Sequence, residues 1–126
     1  FGRIGRNFFR QALESDKIEI VAINDLTDVK TLAHLLKYDS THGILTNKVI
    51  PSGNNILVDS TEIPVYSCPN PQELPWKALD VDVVLESTGR FLKNEQALQH
   101  VIAGAKKVVI SAPSPDAKTI VLGVNN

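Results

Sequence analysis

The sequence predicts an α/β fold: a doubly wound parallel sheet covered by helices on both faces, with an antiparallel hairpin insertion between its halves. Three observations carry this. Residues 18–23, 81–85 and 108–110 are short continuous apolar runs, as expected of strands buried on both faces. Apolar residues at three- and four-residue spacing mark amphipathic helices around those runs. Between Asn47 and Tyr66 both patterns give way to short β-prone pieces separated by turn residues.

Each element follows in order. Ile4, Phe8, Phe9, Ala12 and Leu13 share one face of a first helix, with both phenylalanines expected in the core. Residues 18–23 form the next strand. Val29, Leu32, Ala33 and Leu36 define a second helix, with Thr27 or Asp28 as its N-cap. Val49-Ile50, residues 56–58 and residues 63–66 are hairpin strands, punctuated by Ser52-Gly53-Asn54-Asn55 and Asp59-Ser60. Pro69, Pro71 and Pro75 mark a loop. The alternation then resumes with a strand at 81–85 and a third helix on Leu98, Val101, Ile102 and Ala105, capped by Asn94. Strands at 108–110 and 120–122 complete it.

The 126 residues suit one domain, 1–126, and 43% hydrophobic residues supply a core. Thirteen Lys and Arg against 14 Asp and Glu argue against nucleic acid or an anionic membrane as partner. No apolar run approaches the roughly 18 residues of a membrane span. Arg3, Arg6 and Arg10 interrupt any signal-peptide pattern. The lone cysteine, Cys68, excludes an internal disulfide and a cysteine-based zinc site, and a cytoplasmic location is the simplest expectation. Phe1 is not Met, and Val124-Asn125-Asn126 directly follows an apolar run, so the domain is expected to be incomplete at both ends.

Gly2-Arg3-Ile4-Gly5 has the G-x-x-G end of the dinucleotide fingerprint G-x-G-x-x-G. This reading makes the fold Rossmann-type and places the first strand and first fingerprint glycine before Phe1. A residue without Cβ lets the backbone approach a pyrophosphate, and the helix N-terminus favours its charge. Gly5 permits close helix–sheet packing. A purely structural turn is the alternative. Asp25 follows the strand at 18–23 and lies 20 residues after Gly5, where a carboxylate accepts from the adenosine ribose hydroxyls. Such a carboxylate also repels a 2′-phosphate, favouring NAD over NADP. Capping the next helix is compatible with this role. Ser87-Thr88-Gly89 and Ser111 follow strands at their carboxyl ends, where open α/β sheets bind ligands, although ordinary turns give the same pattern.

Phe1-Gly2-Arg3-Ile4-Gly5-Arg6 resembles the start of the glyceraldehyde-3-phosphate dehydrogenase family. Asn24-Asp25-Leu26-Thr27-Asp28, Leu35 through Gly43, Leu74-Pro75-Trp76, Glu86-Ser87-Thr88-Gly89 and Lys106 through Pro113 extend that resemblance in family order. The resemblance implies an NAD-dependent enzyme of glycolysis. It oxidises glyceraldehyde 3-phosphate with phosphate to 1,3-bisphosphoglycerate, as a cytoplasmic homotetramer. It implies that the N–H groups of Arg3 and Ile4 surround the pyrophosphate and that Asp25 holds the ribose with Asn24 beside it. Thr88, Gly89 and Phe91 then line the adenosine side, and Ser111 lies near the nicotinamide half. The catalytic cysteine and histidine of the family, with its substrate domain, fall outside these residues. Cys68 is accordingly not the nucleophile, and His42 orders a loop. His34 and His100 need no special role. Many relatives carry Glu-Arg-Asp-Pro where this chain has Cys68-Pro69-Asn70-Pro71, so no adenine contact carries over to Pro69. Erythrose-4-phosphate dehydrogenase shares the fold and the cofactor motif, and a non-catalytic nucleotide-binding or interaction fragment is a rival of another class.

Overall fold

The computed structural model describes residues 1–126. The helices are α1 (Arg3–Ala12), α2 (Val29–Lys37) and α3 (Asn94–Ile102), with a short 3-10 turn at Pro71–Glu73. The strands in chain order are β1 (Ile23–Asn24), β2 (Tyr38–Asp39), β3 (Gly43–Ile44), β4 (Val49–Ser52), β5 (Asn55–Val58), β6 (Thr61–Tyr66), β7 (Val83–Glu86) and β8 (Lys107–Ile110). The chain divides into two units, Phe1–Asn70 and Pro71–Asn126.

In the first unit one sheet runs in the order β1-β6-β5-β4. The last three strands form the antiparallel meander expected from the hairpin signals, and β1 joins parallel to β6, Ile23 opposite Val65. Gly53, at φ +59, opens the two-residue loop between β4 and β5, where a hairpin turn demands a positive φ. Asp59 takes φ +53 in the next turn, and its carboxylate accepts from Asn47 Nδ2 at 2.7 Å and from the Lys48 N–H at 2.9 Å. Alternate residues of β5 and β6 point inward. Ile56, Val58, Ile63 and Val65 meet Phe9 of α1, Leu32, Ala33 and Leu36 of α2, and Ile23 in one apolar core. The Phe1 ring packs edge-on against Phe9 at 5.5 Å.

Asp28, not Thr27, caps α2: its Oδ1 accepts from the Thr31 N–H at 2.9 Å and its Oδ2 from the Thr31 hydroxyl at 2.7 Å. Two expectations need correction here. Phe8 is 38% exposed: it lies at the edge of the buried face of α1, which runs through Gly5, Phe9 and Ala12, and roughly 100° around the helix from Phe9. The strand expected at 18–23 is paired only at Ile23–Asn24. Its earlier residues have no strand beside them, and Ile18 is exposed.

In the second unit β7 and β8 are parallel, Val83 opposite Lys107 and Glu86 opposite Ile110, joined through α3 as a βαβ unit. The inward face of α3 is Ala97 and His100. Leu98, Val101 and Ile102, the apolar stripe expected to be buried, are exposed. α3 docks instead through Ala97 and His100, whose Nε2 lies 2.8 Å from Glu86 Oε2. Lys93 rather than Asn94 is the N-cap, its N–H donating to Gln96 Oε1 at 3.2 Å. The N–H of Asn94 donates to Asp116 Oδ1 at 2.8 Å. Gly104, at φ +116, follows α3, and a Cβ there would lie 2.5 Å from the Lys77 backbone nitrogen. The strand expected at 120–122 does not form. Residues 120 and 121 have no regular structure and Leu122 enters a turn, with the side chain of Asn125 accepting from the Val121 N–H at 2.6 Å and no neighbouring strand paired with them. No helix is long and apolar enough to cross a membrane.

Candidate cofactor-binding site

In the first unit the fingerprint glycines sit at the head of α1. Gly2 is its N-cap and offers no side chain, so the N–H groups of the first turn have no side-chain acceptor. A Cβ on Gly2 would meet nothing within 4 Å, so the space in front of the helix is open. Arg3 and Ile4 are exposed there, and Gly5 is buried. The first intrahelical bond runs from the Arg6 N–H to the Gly2 carbonyl at 2.9 Å.

Asp25 follows β1, whose pairing it prolongs by donating its N–H to the Tyr66 carbonyl at 2.9 Å. Its half-buried carboxylate lies beside the glycine turn: Oδ2 is 2.6 Å from the Phe1 nitrogen, and Oδ1 accepts from the Thr27 N–H at 2.8 Å. Burial pushes this carboxyl up, and the Thr27 N–H, donating to Oδ1, pulls it down. A carboxylate next to uncapped N–H groups can accept from a diol while the helix end binds an anion. Asn24 does different work: its Nδ2 donates to the Cys68 carbonyl and its Oδ1 accepts from the Cys68 N–H, both at 3.0 Å. That double bond pair fixes the segment carrying Pro69, which is exposed.

In the second unit Thr88, Gly89 and Ser111 all lie just beyond the carboxyl ends of β7 and β8. The Ser111 N–H donates to the Glu86 carbonyl at 3.0 Å, tying those ends together. Thr88 and Gly89 are exposed and Phe91 is half-buried. Gly89 has φ +72.

Two groups of residues escaped the sequence reading. Arg10 of α1 is buried. Its Nε and Nη2 donate to the Leu36 carbonyl at 3.2 and 2.7 Å, Nη2 to the Lys37 carbonyl at 3.2 Å, and Nη1 to the Gly43 carbonyl at 3.1 Å. Beneath β7 the buried Glu86 carboxylate meets His100 Nε2 at 2.8 Å, and Trp76 Nε1 meets His100 Nδ1 at 2.9 Å. Burial pushes Glu86 up, but hydrogen bonds from His100 and Thr88 hold it below its usual range. A charged residue closing an apolar strand, and a histidine among apolar helix positions, were the available signals. The loop at His42 is ordered by Asp39, whose Oδ1 accepts from the N–H groups of Thr41 and His42, both at 2.8 Å, with the His42 Nδ1 at 3.2 Å. These bonds, with further help from the His42 ring and Arg3, lower Asp39 to about 2.

A glycine-led helix left uncapped, followed by an acid at the end of the next parallel strand, defines a Rossmann-type dinucleotide-binding domain. Residues 1–94 match the family described as glyceraldehyde 3-phosphate dehydrogenase, NAD binding domain, and the chain belongs to that family. Its cofactor is NAD. The chain is 58% identical over 126 residues to glyceraldehyde-3-phosphate dehydrogenase of Geobacillus stearothermophilus, covering 99% of the chain and 38% of that protein. It is 52% identical to glyceraldehyde-3-phosphate dehydrogenase 1 of Bacillus subtilis over the same shares, 99% and 38%. The corresponding enzyme of Mycoplasma pneumoniae is 51% identical, with 100% of the chain and 38% of that protein covered. The chain thus spans 38% of the length of these relatives.

Proposed function

We propose that residues 1–126 are the cofactor-binding part of a phosphorylating glyceraldehyde-3-phosphate dehydrogenase. The enzyme oxidises glyceraldehyde 3-phosphate with NAD and inorganic phosphate to 1,3-bisphosphoglycerate, in the cytoplasm and as a homotetramer. The substrate domain, with the thiol and histidine that act on the aldehyde, lies outside this segment. NAD supplies the hydride acceptor. The observation that carries the reading is the Asp25 carboxylate beside the open glycine turn of α1.

In this reading the Arg3 and Ile4 N–H groups receive the pyrophosphate, and Gly2 and Gly5 leave room for it and for the sheet. Asp25 accepts from the adenosine ribose hydroxyls, with Asn24 steadying the chain behind it. Thr88, Gly89 and Phe91 line the adenosine side, and Ser111 borders the nicotinamide half. The Asn24-Asp25-Leu26-Thr27-Asp28 block favours glyceraldehyde 3-phosphate over erythrose 4-phosphate. NAD reduction by the full-length enzyme, measured with each sugar phosphate and with phosphate present or omitted, tests this. Phosphate-dependent turnover of glyceraldehyde 3-phosphate is expected, and a preference for erythrose 4-phosphate would refute it.

A further inference from the structure

Trp76, His100, Glu86 and Thr88 form one hydrogen-bonded chain with a single direction. The indole Nε1–H can only donate, so His100 Nδ1, 2.9 Å away, accepts and carries no proton. The ring proton therefore sits on Nε2, which donates to Glu86 Oε2 at 2.8 Å. Glu86 Oε1 accepts from both the N–H and the hydroxyl of Thr88, at 2.9 and 2.5 Å. With its proton so used, the Thr88 hydroxyl oxygen accepts from the Arg90 N–H at 3.1 Å. Trp76, His100 and Glu86 are each no more than 5% exposed.

A buried carboxylate is costly unless paired and hydrogen-bonded, and an apolar side chain would close β7 without that cost. What the carboxylate adds is direction. Its two oxygens are each committed, one to α3 and one to the turn after β7, while the carbonyl of the same residue takes the Ser111 N–H. One residue thereby sets both loops that end this pair of strands.

We propose that His100 is a positioning residue for the cofactor: with its tautomer set by Trp76, it locks Glu86 and so holds Thr88 and Gly89 in the conformation that receives the adenosine side of NAD. This rests on the reading that Thr88 and Gly89 line that side. Leucine at position 100 fills the space without donating, so Glu86 is free to rotate and the turn loosens. Glutamine keeps an N–H donor within reach of Glu86.

The test compares NAD dissociation constants of the full-length enzyme with His100→Leu, His100→Gln and Asp25→Ala, below each variant's unfolding temperature. Nitrogen NMR of the imidazole in the unmodified enzyme reports the tautomer. Expected are a proton on Nε2 alone, an affinity loss of about tenfold in His100→Leu, as for loss of one charge-assisted hydrogen bond, and recovery of most of it in His100→Gln. Should His100→Leu not fold, near-native affinity in His100→Gln together with the Nε2 proton supports the proposal. Affinity lost equally in both histidine variants, a folded His100→Leu with native affinity, or a proton on Nδ1 overturns it. Weakened binding in Asp25→Ala beside native binding in His100→Leu removes the relay alone, whereas native binding in Asp25→Ala removes the cofactor reading beneath it.

Discussion

Replacing Arg10 by methionine should loosen the first unit. Methionine keeps most of the apolar stem but removes a guanidinium that donates to four main-chain carbonyls, Leu36, Lys37, His42 and Gly43. Leu36 and Lys37 end α2, so their carbonyls have no partner within the helix. The 2.7 Å bond to Leu36 and the 3.1 Å bond to Gly43 are the better formed. A hydrogen bond to a charged group contributes about 1.5–3 kcal/mol, and such losses are not additive, so about 3–5 kcal/mol is expected. Urea unfolding of the full-length enzyme measures this, and hydrogen exchange locates it. Protection should fall first in α2 and in the β2–β3 loop, where Arg10 is the strut. Arg10→Lys, with one compact donor group, should recover only part. A loss under about 1 kcal/mol in Arg10→Met, or unchanged exchange around Gly43, would refute the reasoning.

Gly104→Ala should destabilise the second unit by at least about 1–3 kcal/mol, since it adds strain at φ +116 and a clash with the Lys77 backbone; an unchanged denaturation midpoint would contradict this. Cys68→Ser should leave turnover of the full-length enzyme nearly intact, because the Cys68 thiol donates to the Asn70 carbonyl and a serine hydroxyl can do the same. A folded but inactive variant would make Cys68 the nucleophile. Asp28, Asp39, Asp59 and Glu86 are all held below their ordinary values. Their stabilisation is complete above the unfolded carboxyl range and is lost as pH falls through the lower folded values. For Asp39 the window runs from 3.8 down to about 2, so amide protection around Thr41 and His42 should persist at pH about 4 and vanish near 2. Early loss of that protection, above the window, would count against the Asp39 bonds.

Periodicity in the sequence located every helix and the hairpin meander, because those elements are set by local turn chemistry and by one apolar face each. Asp28, Gly53 and Asp59 are local devices, and they sit where the pattern put them. Pairing is not local. The runs at 18–23 and 120–122 are as apolar as β7, yet only strands with a hydrogen-bonded neighbour form. The buried face of α3 was illegible for a related reason. Apolar spacing selects Leu98, Val101 and Ile102, whereas the helix docks through a histidine whose partner is 14 residues away on β7. Within the candidate site, Gly2, Gly5 and Asp25 could be read from spacing, since strand and turn lengths fix it. Asn24's grip on Cys68, across 44 residues, and Arg10's reach to α2 could not.

The most direct test of the account is calorimetric titration of NAD and of NADP into the full-length enzyme and its Asp25→Ala variant. The account predicts NAD binding weaker in the variant by about 1–3 kcal/mol, from the loss of charge-assisted hydrogen bonds to the ribose. NADP should bind relatively better once the carboxylate no longer repels its 2′-phosphate. A folded variant with native affinity for NAD and native discrimination against NADP would contradict the placement of the ribose at Asp25.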